Sequence, residues 1–158
     1  MDVVLYRIDD RLIHGQVMTA WSKLTSANHV IIVDDSVVAD PFMCKILSMA
    51  APSGMKVEIL NVDDGIKRLK GPGEGTRVIV LFKVPQVVLK LIEAGIKISN
   101  LNVGGMGAAP GRKPLFKNIS ASPAEIETLK KIDSLGTKIE FRIVPDDKSI
   151  PFDKVIKK

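Results

Sequence analysis

Two hydrophobic rhythms alternate along this chain: short β-branched runs, and segments whose apolar residues return every three or four positions. "VVLYRI" (3–8) reads as a first strand, and Val17, Ala20, Trp21 and Leu24 follow at helical spacing. "HVIIV" (29–33) is a second strand, ended by Asp34-Asp35-Ser36. Asp40-Pro41 opens a helix as cap and first helical residue, with Phe42, Ile46, Met49 and Ala50 on its apolar face. Pro52-Ser53-Gly54 stops it. "KVEIL" (56–60) predicts strand three, "DDGIKRL" (63–69) a short helix, and Gly71 to Gly75 a surface loop. "RVIVLF" (77–82) is the most continuous apolar run and predicts an interior strand. Pro85 then opens a helix with a Val88, Leu91, Ile92 stripe and Gly95 as its terminal cap. "KISNLNV" (97–103) predicts strand five, followed by a glycine-rich loop over 104–114 and a short extended piece near 117–120. "SPAEIETLKKIDSLG" (122–136) carries its own cap, proline and closing glycine. "TKIEFRIV" (137–144) alternates as an edge strand with one wet face would.

This β-α-β-α order with short connections predicts an α/β fold, an open parallel sheet with helices on both faces. Ligand sites in such sheets lie outside the carboxyl ends of the strands. Length and composition agree. At 158 residues the chain fits one domain, 1–158, and with 46% hydrophobic but only 4% aromatic residues, Val, Ile and Leu must build the core. No apolar run nears the roughly 20 residues of a membrane span, and Asp2 leading directly into a strand argues against a signal peptide. Cys44 is alone, which excludes an intrachain disulfide and fits a reducing cytosol; two histidines and one cysteine offer no metal-ligand spacing.

The chemistry concentrates in "RIDDRLIHGQV" (7–17), at the carboxyl end of the first predicted strand. A neutral imidazole is a good nucleophile, and an ordinary pKa of about 6.5 leaves His14 largely unprotonated at pH 7. A phosphorylated His14 would bring about two negative charges. Arg11, with Arg7 as a further donor, can offer forked N–H groups to phosphate oxygens. The helix beginning at Gly15 adds backbone donors and a favourable dipole; Gly15 lets phosphate approach the main chain, and Gln16 can donate from its amide. Asp9 or Asp10 can fix the imidazole tautomer or orient Arg11. The bland alternative is a capping histidine beside a surface ion pair.

"YRIDDRLIHGQV" resembles the phosphorylation-site segment of the IIB components of the mannose/fructose/sorbose family of the bacterial phosphoenolpyruvate-dependent sugar phosphotransferase system (PTS). The likeness runs on through "VIIVDDSVVADPF", "AAPSGMKVEIL", "LFKVPQVVLKLIEAGIKISNLNVGGM" and "SLGTKIEFRIVPDD", almost the whole chain in order. The resemblance implies that His14 is the phosphorylated residue, attacking through Nδ1, and that Arg11 steadies the phosphoryl group. It implies an open, mostly parallel twisted sheet of about seven strands with the last antiparallel. It also implies a phosphohistidine–sugar phosphotransferase step: phosphate arrives from a histidine of a IIA component and leaves on a sugar carried by membrane components IIC and IID. On that basis the chain is expected to be a stand-alone cytoplasmic form working at the inner membrane face, without a cofactor.

Other features carry rival readings. "GGMGAAP" approaches the dinucleotide fingerprint, but Pro110 stands at the third glycine position; Gly104 and Gly105 read either as a backbone wall of the phosphate site or as a plain turn. The net charge of +5 and the basic "GRKPLFK" (111–117) allow a nucleic-acid-binding module, a partner surface or a solvated excursion. With one Tyr and one Trp for base stacking, no nucleic-acid partner is expected. Asp34, Asp35 and Lys83 end strands and are candidates for the site rim. His29 reads as structural and Cys44 as a buried, inert thiol. An exposed edge at 137–144 would allow a homodimer.

Overall fold

In a computed structural model, which describes residues 1–73 and 75–156, the elements follow the expected alternation. β1 (Asp2–Asp9) leads to α1 (Gly15–Thr25), β2 (His29–Val33), α2 (Asp35–Val38), α3 (Pro41–Ala50) and β3 (Lys56–Leu60). Next come α4 (Val62–Lys70), β4 (Arg77–Phe82), α5 (Pro85–Glu93) and β5 (Asn100–Gly105). A hairpin of β6 (Lys113–Phe116) and β7 (Ile119–Ala121) precedes α6 (Pro123–Ser134), β8 (Lys138–Phe141), β9 (Ile150–Pro151) and α7 (Phe152–Val155). Seven strands form one sheet in the order β3-β2-β4-β1-β5-β8-β9, parallel except for the β8–β9 pair.

Helices cover both faces because the inward residues of each strand alternate. One core gathers Met18 and Trp21 of α1, Val37 of α2 and Leu47 of α3 with Val30, Ile32, Ile79 and Leu81. The other gathers α5, α6 and α7 residues, among them Leu91, Leu129 and Phe152, with Ile8, Ile31, Val80 and Val103. β4, the longest unbroken apolar strand, is indeed interior. From β1 the chain runs toward β2; from its neighbour β5 it runs the opposite way, toward β8. The carboxyl ends of β1 and β5 therefore flank the point where the direction of winding reverses, where such sheets open a crevice.

Several expectations are corrected. On α3 the predicted apolar face turns outward: Phe42 and Met49 are 72% and 75% exposed, and only Leu47 is buried. On α1 Trp21 of the predicted stripe is buried, but Met18 joins it and Leu24 is left exposed. Asp35 and Ser36 do not merely end β2 but begin the short α2, capped by Asp34. β5 starts three residues later than its apolar pattern and continues through both glycines placed in a loop. The region 137–144 is not an edge, because the two-residue β9 lies outside β8. A short edge strand bearing a proline offers little to a second copy.

Candidate functional site

β1 ends in three consecutive buried residues, Arg7, Ile8 and Asp9. A turn follows, in which the Leu12 amide donates to the Asp9 carbonyl at 2.9 Å and Leu12, buried, takes the left-handed φ of 59°. That reversal sends Leu12 and Ile13 into the core beneath α1 and leaves His14, in extended conformation, as the residue that caps the helix. Its side chain makes no capping bond, so the first-turn amides of α1 stay open. Gly15 follows at φ +32°, a left-handed conformation that L residues rarely adopt.

Asp9 organises the loop. Its Oδ1 accepts from the Arg11 amide and Nε, each at 3.1 Å. Its Oδ2 accepts from Arg7 Nη2 at 3.0 Å and Arg11 Nη2 at 3.3 Å, and faces His14 Nε2 at 3.4 Å. Burial alone would raise the Asp9 pKa, but the hydrogen bonds and charges of Arg11 and Arg7 outweigh it and hold the carboxyl below its ordinary value. An ionised carboxylate can only accept. A neutral imidazole that hydrogen-bonds to it through this contact would donate from Nε2 and keep its lone pair on Nδ1. The His14 side chain is 30% exposed and that of Arg11 44%, so both reach solvent. Gln16 is exposed beside them.

Asp10 does something else. Its Oδ2 accepts from the Gly107 amide at 2.8 Å and from Arg112 Nη1 at 3.0 Å, tying the β1 loop to the loop after β5. Arg112 also forks onto Glu125 of α6, both bonds at 2.8 Å, and donates to the Gly107 carbonyl. Of the two carboxylates, Asp9 is thus the one that meets the imidazole.

Arg7 is not a free phosphate donor. Its side chain is almost wholly buried and its guanidinium is taken up by protein acceptors. Gly104 and Gly105 have a steric use in this arrangement. A Cβ on Gly104 would stand 2.0 Å from Arg7 Cζ, and one on Gly105 2.5 Å from Asp9 Oδ1. Their missing side chains are the space in which Arg7 and Asp9 lie. Sequence reasoning placed these glycines near the site but missed Arg112 and Asn102; the separation of 95 residues between Arg7 and Asn102 left no local signal.

The remaining candidates disperse. Asp34 is a buried cap for α2, and Asp35 accepts from the Val62 amide at 2.8 Å; Lys83 is exposed at the end of β4. His29 is structural but not alone, since its Nε2 meets Glu58, which also holds Arg68. Cys44 is half-buried rather than buried, and its Sγ donates to the Val37 carbonyl at 3.3 Å. "GRKPLFK" is not simply a solvated loop: Arg112 turns inward and Lys113–Phe116 form β6 of the hairpin, with Gly111 and Lys117 exposed in the flanking turns. That removes its only arginine from the nucleic-acid reading. Gly104 and Gly105 lie in β5 with no helix opening after them until Pro123, which does not match a dinucleotide turn. Among the described residues no His, Cys, Asp and Glu cluster could hold a metal, and no helix is long and apolar enough to cross a membrane.

Fold and site together define a doubly wound α/β domain with a partly exposed histidine at the switch point of the sheet. Residues 3–158 match the family model described as "PTS system sorbose subfamily IIB component", and the chain belongs to that family of phosphotransferase-system IIB components. It is similar to the sorbose-specific EIIB component of Klebsiella pneumoniae, 40% identical over 95% of this chain and 92% of that one. It is also similar to the mannose-specific EIIAB component of Escherichia coli K12, 38% identical over all of this chain and 49% of that longer protein. The crystal structure of the IIBSor domain of the Klebsiella pneumoniae sorbose permease superposes with a TM-score of 0.91 at 40% identity, over 95% of this chain and 93% of that one.

Proposed function

We propose that this chain is a phosphocarrier that holds a phosphoryl group on His14 Nδ1, between a phosphohistidine of a IIA component and a sugar delivered by membrane components IIC and IID. The observation that carries this reading is the Asp9 carboxylate at Nε2, which leaves the nucleophilic lone pair on Nδ1. In the transfer, Nδ1 attacks phosphorus, the donor's P–N bond breaks with its electron pair returning to the donor ring, and the Nε2 proton stays in place. The product ring gains positive character, which Asp9 balances without itself taking a proton.

Arg11 supports the reading from the other side. Its Nε and Nη2 are engaged by Asp9, and among the described residues Nη1 bonds to none, leaving a donor edge for phosphate oxygens. Gly15 and the first-turn amides supply further donors. The family name of the relatives supports a sugar phosphotransferase step, and the mannose relative, named for both A and B parts, supports IIA as donor.

The experiment is incubation with labelled phosphoenolpyruvate and the upstream carriers. Label should enter the protein and be absent after His14→Ala. Arg11→Ala should slow transfer about 10–100-fold, the worth of a charge-assisted contact of roughly 1.5–3 kcal/mol. Undiminished labelling of the His14→Ala protein would refute the assignment.

A further inference from the structure

Arg7 has no contact with the reacting ring, yet the site is built around it. Its Nη1 donates to Asn102 Oδ1 at 2.5 Å and to the Arg142 carbonyl at 3.1 Å; its Nη2 donates to Asp9 Oδ2 at 3.0 Å and to the Ile143 carbonyl at 2.9 Å. The guanidinium carbon lies 5.2 Å from the centre of the Trp21 ring, and the Trp21 indole N–H donates to the same Ile143 carbonyl at 3.2 Å. Gly104 leaves the space that the group fills. β1, β5, the segment that follows β8 and α1 thus fix this one cation, and among the described residues the only carboxylate it touches is the one that faces His14.

Resting on the phosphocarrier reading above, we infer that Arg7 is a positioning residue: acting through Asp9, it keeps the His14 proton on Nε2 and so makes Nδ1 the nucleophile. The reason is the asymmetry of a buried carboxylate. Flanked by Arg7 it stays ionised and can only accept; without a buried cation beside it, protonation becomes the cheaper state. A protonated Asp9 would donate to Nε2, move the ring proton to Nδ1, and turn the lone pair toward the sheet.

Besides burial, the groups that set the Asp9 charge are Arg11 in the loop and Arg7 on β1; His14 faces the same carboxylate, Glu140 on β8 acts on Arg7 from behind Asn102, and Arg142 lies 5.5 Å from the Trp21 ring. Arg11 bonds the same carboxylate but its side chain is 44% exposed, whereas Arg7 is 2% exposed. Water can screen or replace Arg11; it cannot replace Arg7.

The test is the tautomer of His14, read from its ring ¹⁵N shifts in the full chain, alongside the pH profile of phosphorylation. The native protein should show the Nε2–H form. Arg7→Gln, neutral but polar, should move the ring toward Nδ1–H and lower transfer at pH 7 at least about tenfold. Its rate should then climb with pH as Asp9 ionises at its raised pKa, and Arg7→Lys should restore both the tautomer and the native profile. A folded Arg7→Gln protein with the native tautomer and a pH profile parallel to the native one would overturn the inference, because a merely structural arginine would cost activity equally at every pH. If Arg7→Gln does not fold, Gly104→Ala decides, since its Cβ would force the guanidinium away from Asp9; the same tautomer shift is expected, and an unchanged ring overturns the proposal. The ring measurement needs no phosphoryl donor. Label persisting in His14→Ala would therefore remove the phosphocarrier reading while Arg7 is judged on the tautomer alone.

Discussion

Asp9 and Asp10 are adjacent in the chain and identical in chemistry, yet one faces His14 and the other holds Arg112. Nothing in "RIDDRLIHGQV" distinguishes them. The strand does: alternate residues point to opposite faces or edges, and Asp9 shares its direction with Arg7 while Asp10 has already left the sheet. Arg112 shows the same limit from the other side. It read as part of a basic surface loop, but its partners Glu125 and Asp10 are 13 and 102 residues away. Its side chain is 11% exposed and that of Glu125 7%, so the pair behaves as a buried one. Arg112→Met, which leaves both carboxylates unpaired, should lower stability by about 3 kcal/mol, checked by urea denaturation. Arg112→Lys should recover only part of it, since one ammonium cannot reproduce the fork onto Glu125.

At the scale of elements, capping chemistry was legible because it is local. Ser122 and Glu125 form a reciprocal capping box at the start of α6, with Pro123 as its first residue. Ser122→Ala should cost about 1 kcal/mol by thermal melting. Burial direction was less legible. On α3 the pattern Phe42, Ile46, Met49 is a good helical stripe, but β2 and β3 receive Leu47 instead. Period alone says that a stripe exists, and α3 has apolar residues nearly all round, so the sheet chooses which side to bury. Two substitutions separate the sides. Met49→Ser should change stability by less than about 0.5 kcal/mol, whereas Leu47→Ala should cost about 2–5 kcal/mol. Equal losses at both positions would contradict this assignment of faces. β5 is a third case: glycines are poor strand formers, so the pattern stopped at Val103, but paired between β1 and β8 the strand extends through Gly105 because only glycine leaves room for Arg7 and Asp9.

For the whole molecule, acid is the revealing stress. Asp9, Glu58 and Glu125 are all held below their ordinary values, in each case against the opposing effect of burial, by arginine partners that outweigh it, with His29 assisting at Glu58. A depressed carboxyl pKa contributes stability that is fully present above the unfolded-state value and lost as pH falls through the folded one. Melting temperature should therefore be insensitive to these groups between pH 6 and 8, and should fall from near 4.5, the ordinary glutamate value, downward. In Arg112→Met that acid slope should be shallower, because Glu125 no longer gains on ionising. A melting temperature unchanged to pH 3 would show that these pairs stabilise nothing. By itself the sequence determined the main alternation of strands and helices, though not α2, β9 or α7, together with the parallel α/β class and the loop that holds His14, since periodicity, caps and turns act over a few residues. Only the tertiary structure decided which carboxylate meets the imidazole, where Arg7 and Arg112 are spent, and which helix faces are wet. Those depend on strands and loops about a hundred residues apart meeting at one end of the sheet, and no local pattern records that meeting.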